Sequence, residues 1–182
     1  MQKPKKIKIN KKQGIVFWVE GFSGSGKSSI LKLVHNKIDK KFGPTINVSG
    51  DDLRKLFGFY GYKKSDRIKN SYKFSEFLEF LTKKKINVLY SVVGLNHSAR
   101  KIYKSKIKNF LVTLIDADIN KIIKLKKKNT YKKKKYILGI DIRPEYPKKP
   151  NFIIKNDMKK NLKSLANKYY SDITKKISLK KI

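Results

Sequence analysis

Cysteine is absent from the 182-residue chain, which excludes a disulfide framework and any thiolate metal site. No apolar run approaches membrane-spanning length, and the basic N-terminus MQKPKKIKINKK is not followed by an apolar segment of signal-peptide type. The expectation is a cytoplasmic protein with no membrane partner. Acidic residues are scarce, 13 against 47 basic ones, for a net charge of +34. Arginine is scarcer still: Arg54, Arg67, Arg100 and Arg143 stand among 43 lysines. Proteins that read base sequence favour arginine at the base edges. Lysine, asparagine and isoleucine rise together here, the pattern of compositional drift in an AT-rich genome. The charge therefore predicts no specific nucleic-acid partner. What remains suffices for one compact domain, since 39% of the residues are hydrophobic and 12% aromatic.

The informative stretch is VEGFSGSGKSSI, Val19 to Ile30, in which Gly21 to Ser28 read G-x-x-x-x-G-K-S. Before it lies the apolar run IVFWV. After it comes SSILKLVHNKI, with Ile30, Leu33, Val34 and Ile38 at helical spacing. That order is strand, loop, helix. Gly21, Gly24 and Gly26 let the backbone turn its amides toward phosphate oxygens at the positive end of the helix. Gly21, Phe22, Ser23, Gly24, Ser25, Gly26, Lys27, Ser28 and Ser29 are thus the ATP-binding candidates. Lys27 is placed to reach the β- and γ-phosphates as a catalytic cation, and the Ser28 hydroxyl to ligate Mg²⁺. A glycine-rich turn that only opens a helix is the alternative.

Strands and helices alternate almost to the end. TINVSG, INVLYSVV, FLVTLIDA and NFIIK read as further strands. Between and after them lie a helix with Phe74, Phe77, Leu78 and Leu81 on one face and a basic helix near HSARKIYKSKI. A helix from about Asp118 carries Ile119, Ile122 and Ile123, and a closing helix turns Leu162, Leu165, Ala166, Tyr169 and Ile173 inward. The fold class is α/β, a P-loop NTPase-type parallel sheet with helices on both faces. Ligands of such sheets sit beyond the carboxyl ends of the strands, so SGDD and SVVGLNHSAR are expected to face the loop. Residues 1–12 read as a basic tail and 13–182 as the domain, without repeat or linker. The lysine- and proline-rich stretch 126–150 is too long for a connector, and reads as a mobile lid or as a disordered insertion.

The motifs, taken in order, resemble those of adenylyl-sulfate kinases along nearly the whole chain. SGDDLR (Ser49 to Arg54) is similar to that family's D-G-D-N-x-R, and GYKKSDRIKN (Gly61 to Asn70) to its G-F-S-x-x-D-R-x-x-N. TYKK (Thr130 to Lys133) is similar to L-Y-K-K, and ILGIDIRPEYPKKP (Ile137 to Pro150) keeps the spacing of F-T-G-I-D-x-x-x-E-x-P-x-x-P. The resemblance implies transfer of the ATP γ-phosphoryl group, with Mg²⁺, to the 3′-hydroxyl of adenylyl sulfate. Asp51 is placed to accept the hydroxyl proton or orient Mg²⁺, with Asp52 beside it in the same catalytic role. Capping of a helix before LRKLF is the alternative for both. By the same resemblance Arg54, Arg67 and Asn70 hold the nucleotide acceptor and Tyr62 stacks on its base, unless Tyr62 is ordinary packing. Lys132 and Lys133 close over the phosphates, unless in so lysine-rich a stretch they are solvated surface, and Ile137 takes the second stacking position. A homodimer is left open.

Departures cluster around the bases. The family's S-x-x-S-P-[YF]-[RK] becomes SVVGLNH, with Gly94, Leu95 and His97 at the changed positions. An Arg-Asp pair at the start of the lid becomes Leu125 and Lys126, and the second stacking aromatic becomes Ile137, with Tyr136 adjacent. Three functions stay open. The leading one is adenylyl-sulfate kinase. The second is a kinase of another nucleotide, such as a cytidine diphosphate derivative used in polysaccharide modification. The third is a nucleotide- or polyanion-binding protein without catalysis.

Overall fold

The computed structural model describes residues 6–125, 131 and 135–178. Apolar runs become strands: β2 is Val16–Glu20, β3 Thr45–Ser49, β4 Asn87–Val92, β5 Phe110–Asp116 and β6 Phe152–Lys155. They pair in parallel in the order β3-β4-β2-β5-β6. The helices are α1 (Lys27–Phe42), α2 (Gly50–Phe57), α3 (Lys64–Lys83), α4 (His97–Lys106), α5 (Ile119–Lys124) and α6 (Leu162–Lys176).

Alternation along the central strand divides the core. Phe17 and Val19 point to one face, where Ile30, Val34 and Ile38 of α1 meet Leu165, Tyr169 and Ile173 of α6. Val16 and Trp18 point to the other, packing with Leu53 of α2, Phe74 and Leu78 of α3, and Tyr103 of α4. Helices thus cover both faces, as the sequence predicts. Each fully buried aliphatic or aromatic side chain stabilises the fold by about 1.5–3 kcal/mol. The two layers fix β2 rigidly where it delivers the chain into the Gly21 to Ser28 loop. No helix among the described residues is long and apolar enough to cross a membrane.

The stretch expected to be a tail is tied down from Ile7 onward. Strand β1 (Ile7–Lys8) pairs in parallel with β7 (Ile177–Ser178), and Ile7 and Ile9 pack on the core. The Asn10 backbone amide donates to the Asn109 side chain at 2.9 Å.

Candidate active site

The loop between β2 and α1 is built around two left-handed residues, Gly24 (φ 81°) and Gly26 (φ 92°), a conformation any side chain would strain. Its lysine folds back into it. Lys27 Nζ donates to the carbonyl oxygens of Gly21 at 3.0 Å and Phe22 at 2.6 Å. From the far side Asn156 Nδ2 donates to the Ser25 carbonyl at 3.0 Å, and the Tyr131 hydroxyl to the Ser23 carbonyl at 2.7 Å. Ser23, Gly24, Gly26, Lys27, Ser28 and Ser29 line a cavity of about 360 Å³ between the strand ends. Gly21 and Ser25 frame the loop from behind. The Phe22 side chain does not reach the cavity; it is buried against Leu95, Leu114 and Leu138, and only its carbonyl serves the site.

The loop fits a magnesium nucleotide. The buried Ser25 hydroxyl has no hydrogen-bond partner among the described residues. Ser28 Oγ meets Ser91 Oγ at 3.0 Å, at the end of β4. No described cluster of three or more His, Cys, Asp or Glu side chains could hold a metal by itself. Mg²⁺ bound mainly through substrate phosphates, with one or two protein oxygens, needs no such cluster. Ser28 is the residue that would hold it.

Helix α2 carries the next group. Ser49 is its N-cap, with Ser49 Oγ accepting from the Asp52 amide at 3.1 Å and Asp52 Oδ2 from the Ser49 amide at 2.8 Å. Asp52 is therefore the far half of a capping box and lines neither main cavity, which corrects its expected catalytic role. Asp51, one residue earlier on the helix, lines both. Its partner is Arg54, at 3.6 Å.

A second cavity, of about 90 Å³, adjoins the first and is walled by Asp51, Arg54, Tyr62, Arg67, Tyr136 and Ile137 among others. Arg54 and Arg67 both lie over the Tyr62 ring, at 4.9 and 5.8 Å from its centre. The Arg67 fork is spread across three backbone carbonyls, Tyr62 (3.0 Å), Val93 (3.4 Å) and Tyr136 (3.3 Å). Burial, then the charge of Arg54, lowers the Arg67 pKa to about 10, which leaves it cationic at neutral pH. Asn70 stands behind, on a smaller void of about 30 Å³ that Arg54 and Arg67 also reach, and its buried Nδ2 has no partner among the described residues.

The sequence-predicted residues thus separate into two groups. Lys27, Ser28 and Asp51 share one cavity, and Asp51, Arg54, Tyr62, Arg67 and Ile137 the next. Lys132, Lys133 and Lys126 lie outside the described residues. Leu125 ends α5, half exposed. Gly94 has a steric reason: a Cβ there would overlap the Trp18 ring.

Sequence reasoning missed Ser91, Asn156 and Glu145, and also the Glu20 to Arg100 pair. Arg100 was visible as one of few arginines, and Glu20 as an acid closing the apolar run VFWVE. Nothing local revealed that they meet. Burial pushes the Glu20 carboxyl up to about 7, with Arg100 and the Trp18 indole pulling it back.

Residues 13–155 match the family Adenylylsulphate kinase, which is most of the chain. The chain belongs to this family. Among its relatives, an adenylyl-sulfate kinase of Clostridium acetobutylicum is 31% identical over 157 residues, covering 81% of this chain and 77% of that one. A cytidine diphosphoramidate kinase of Campylobacter jejuni is 26% identical over 152 residues, covering 81% and 89%. The Mycobacterium tuberculosis APS kinase, solved in complex with AMPPNP and APS, superposes with a TM-score of 0.77 at 25% identity, over 89% of this chain and 98% of that one. Shikimate kinase from Aquifex aeolicus shares the fold at a TM-score of 0.57 and 17% identity. Membership makes the chain an ATP-dependent kinase that phosphorylates a hydroxyl group, on a P-loop NTPase fold.

Proposed function

We propose that this kinase phosphorylates a ribose hydroxyl of a nucleotide, and that its acceptor is a cytidine diphosphate derivative such as cytidine diphosphoramidate in preference to adenylyl sulfate. The reading rests on how the second cavity is divided. Its cationic half, Arg54 and Arg67 on Tyr62, suits an acceptor with linked anionic groups. Its other walls include the aliphatic Ile137 beside Tyr131 and Tyr136, and Tyr136 is 41% exposed with Lys63 Nζ 5.8 Å over its ring. Ile137 at the family's second stacking position is the departure that carries the choice, since an aliphatic side chain offers a purine no second aromatic face there. Likeness to the Campylobacter jejuni enzyme supports the same choice.

Within this reading the chain's groups divide the work. The loop amides and Lys27 hold the β- and γ-phosphates of ATP. Ser28 would hold Mg²⁺, which when bound would neutralise the charge that spreads over the transferred group. Asp51, reaching both cavities, takes the proton of the attacking hydroxyl as its oxygen bonds to the γ-phosphorus and the bond to the ADP oxygen breaks.

Adenylyl sulfate is the second reading, favoured by the four motifs and by the family itself. ADP release by the purified protein with Mg²⁺ and ATP, tested with each acceptor in turn, decides between them. Turnover of the cytidine compound is expected, and turnover of adenylyl sulfate alone returns the assignment to the second reading.

A further inference from the structure

Behind the acceptor cavity lies a polar cluster that neither substrate reading uses. Glu20, the last residue of β2 and fully buried, receives Arg100 Nη1 at 3.0 Å on one carboxylate oxygen and 2.8 Å on the other. The same nitrogen donates to the Gly94 carbonyl at 3.3 Å. The other terminal nitrogen, Nη2, donates to the Glu145 backbone carbonyl at 2.5 Å and to His97 Nδ1 at 2.7 Å. Glu145 in turn stitches its own loop down. Its carboxylate accepts from the His97 amide at 2.7 Å and Lys64 Nζ at 2.6 Å, and its amide donates to the Leu95 carbonyl at 2.9 Å.

One guanidinium therefore joins three segments distant in sequence: the strand that feeds the phosphate loop, the turn after β4, and residues 135–150. Two of these carry acceptor walls, Val93 on the turn and Tyr136, Ile137 and Leu138 on the loop. Lys27 and Asp51 belong to neither of them. The cluster is thus placed to set the distance between the acceptor walls and the phosphate loop.

We propose that Arg100 is a positioning residue, anchored by Glu20 at the mouth of the phosphate loop, that holds the 135–150 loop and the Gly94 turn in register with the ATP site. It rests on the reading that the acceptor occupies the second cavity. Lysine keeps the charge opposite Glu20 but cannot reach Gly94, His97 and Glu145 together, because it has one nitrogen in place of the planar fork.

Two measurements on Arg100→Lys test the proposal. Amide hydrogen exchange on the substrate-free protein needs no acceptor, so it stands even if the acceptor assignment fails. The Glu145 and His97 amides are expected to exchange about tenfold faster, with the β5 amides of Leu111 to Ile115 unchanged. In kinetics the acceptor KM is expected to rise about fivefold or more while the ATP KM holds. Because a buried charge that loses its partner often unfolds a domain, Arg100→Met combined with Glu20→Gln removes both charges and is expected to give the same exchange pattern. Unchanged exchange at Glu145 and His97 in either variant overturns the proposal. So does acceleration that extends equally to β5, which would make Arg100 a general support of the fold.

Discussion

Arg67 shows why single residues decide so much in this molecule. Each of its terminal nitrogens and its Nε is committed to a different carbonyl, and its face rests on Tyr62. Lysine preserves the charge and loses the fork. Arg67→Lys and Arg54→Lys are each expected to lower acceptor kcat/KM by about 1–3 kcal/mol in transition-state terms, with ATP KM little changed. Arg143→Lys, outside both cavities, is expected to be milder, and steady-state kinetics on the three variants checks the order. Glu20 supports a second prediction. Burial raises its carboxyl pKa from 4.5 to about 7, so between those values the folded protein holds a proton that the unfolded chain releases. Stability from this group is present at low pH and lost as pH rises through about 7. Glu20→Gln combined with Arg100→Met removes that titration without leaving Arg100 buried and unpaired. Denaturant melts from pH 4.5 to 7 are expected to show wild type losing stability relative to the variant, by on the order of 2–3 kcal/mol across the window.

At the scale of elements, α2 matters most, because it carries both Asp51 and Arg54 into the cleft. Its start is fixed by the Ser49 and Asp52 capping box, and its end by Gly58 in the left-handed conformation. Ser49→Ala is expected to cost about 1 kcal/mol in chemical denaturation, and to weaken acceptor use more than ATP binding as Asp51 and Arg54 lose their setting. The long strands and helices were legible in the sequence because apolar residues recur at periods of about two and 3.6. The Gly21 to Ser28 loop was legible because its glycines and lysine leave few other conformations. Strands β1 and β7 were not, since two residues each show no period, and their pairing spans nearly the whole chain. Nor was the Glu20 to Arg100 pair, whose members are 80 residues apart. Asp52 misled for a different reason: a carboxylate beside a catalytic one looks the same in sequence whether it caps a helix or faces a substrate.

For the whole molecule, the dominant property is a charge of +34 carried almost entirely by lysine. Surface lysines spread over the helices attract any polyanion through counterion release without reading its sequence. Binding to duplex DNA is therefore expected to be weak, indifferent to sequence and steeply dependent on salt. Titrations over a range of salt concentrations check this, and a sequence preference that survives physiological salt would contradict it. The two packed layers hold β2 fixed while the surrounding loops differ from the family pattern, so phosphoryl transfer and acceptor choice are separable properties of one fold. The most direct test of the account is competition in one vessel, with cytidine diphosphoramidate and adenylyl sulfate at equal concentration and Mg²⁺ with ATP in excess. The product ratio then reports the ratio of kcat/KM values. The account predicts that phosphorylated cytidine compound predominates; predominance of 3′-phosphoadenylyl sulfate would contradict it.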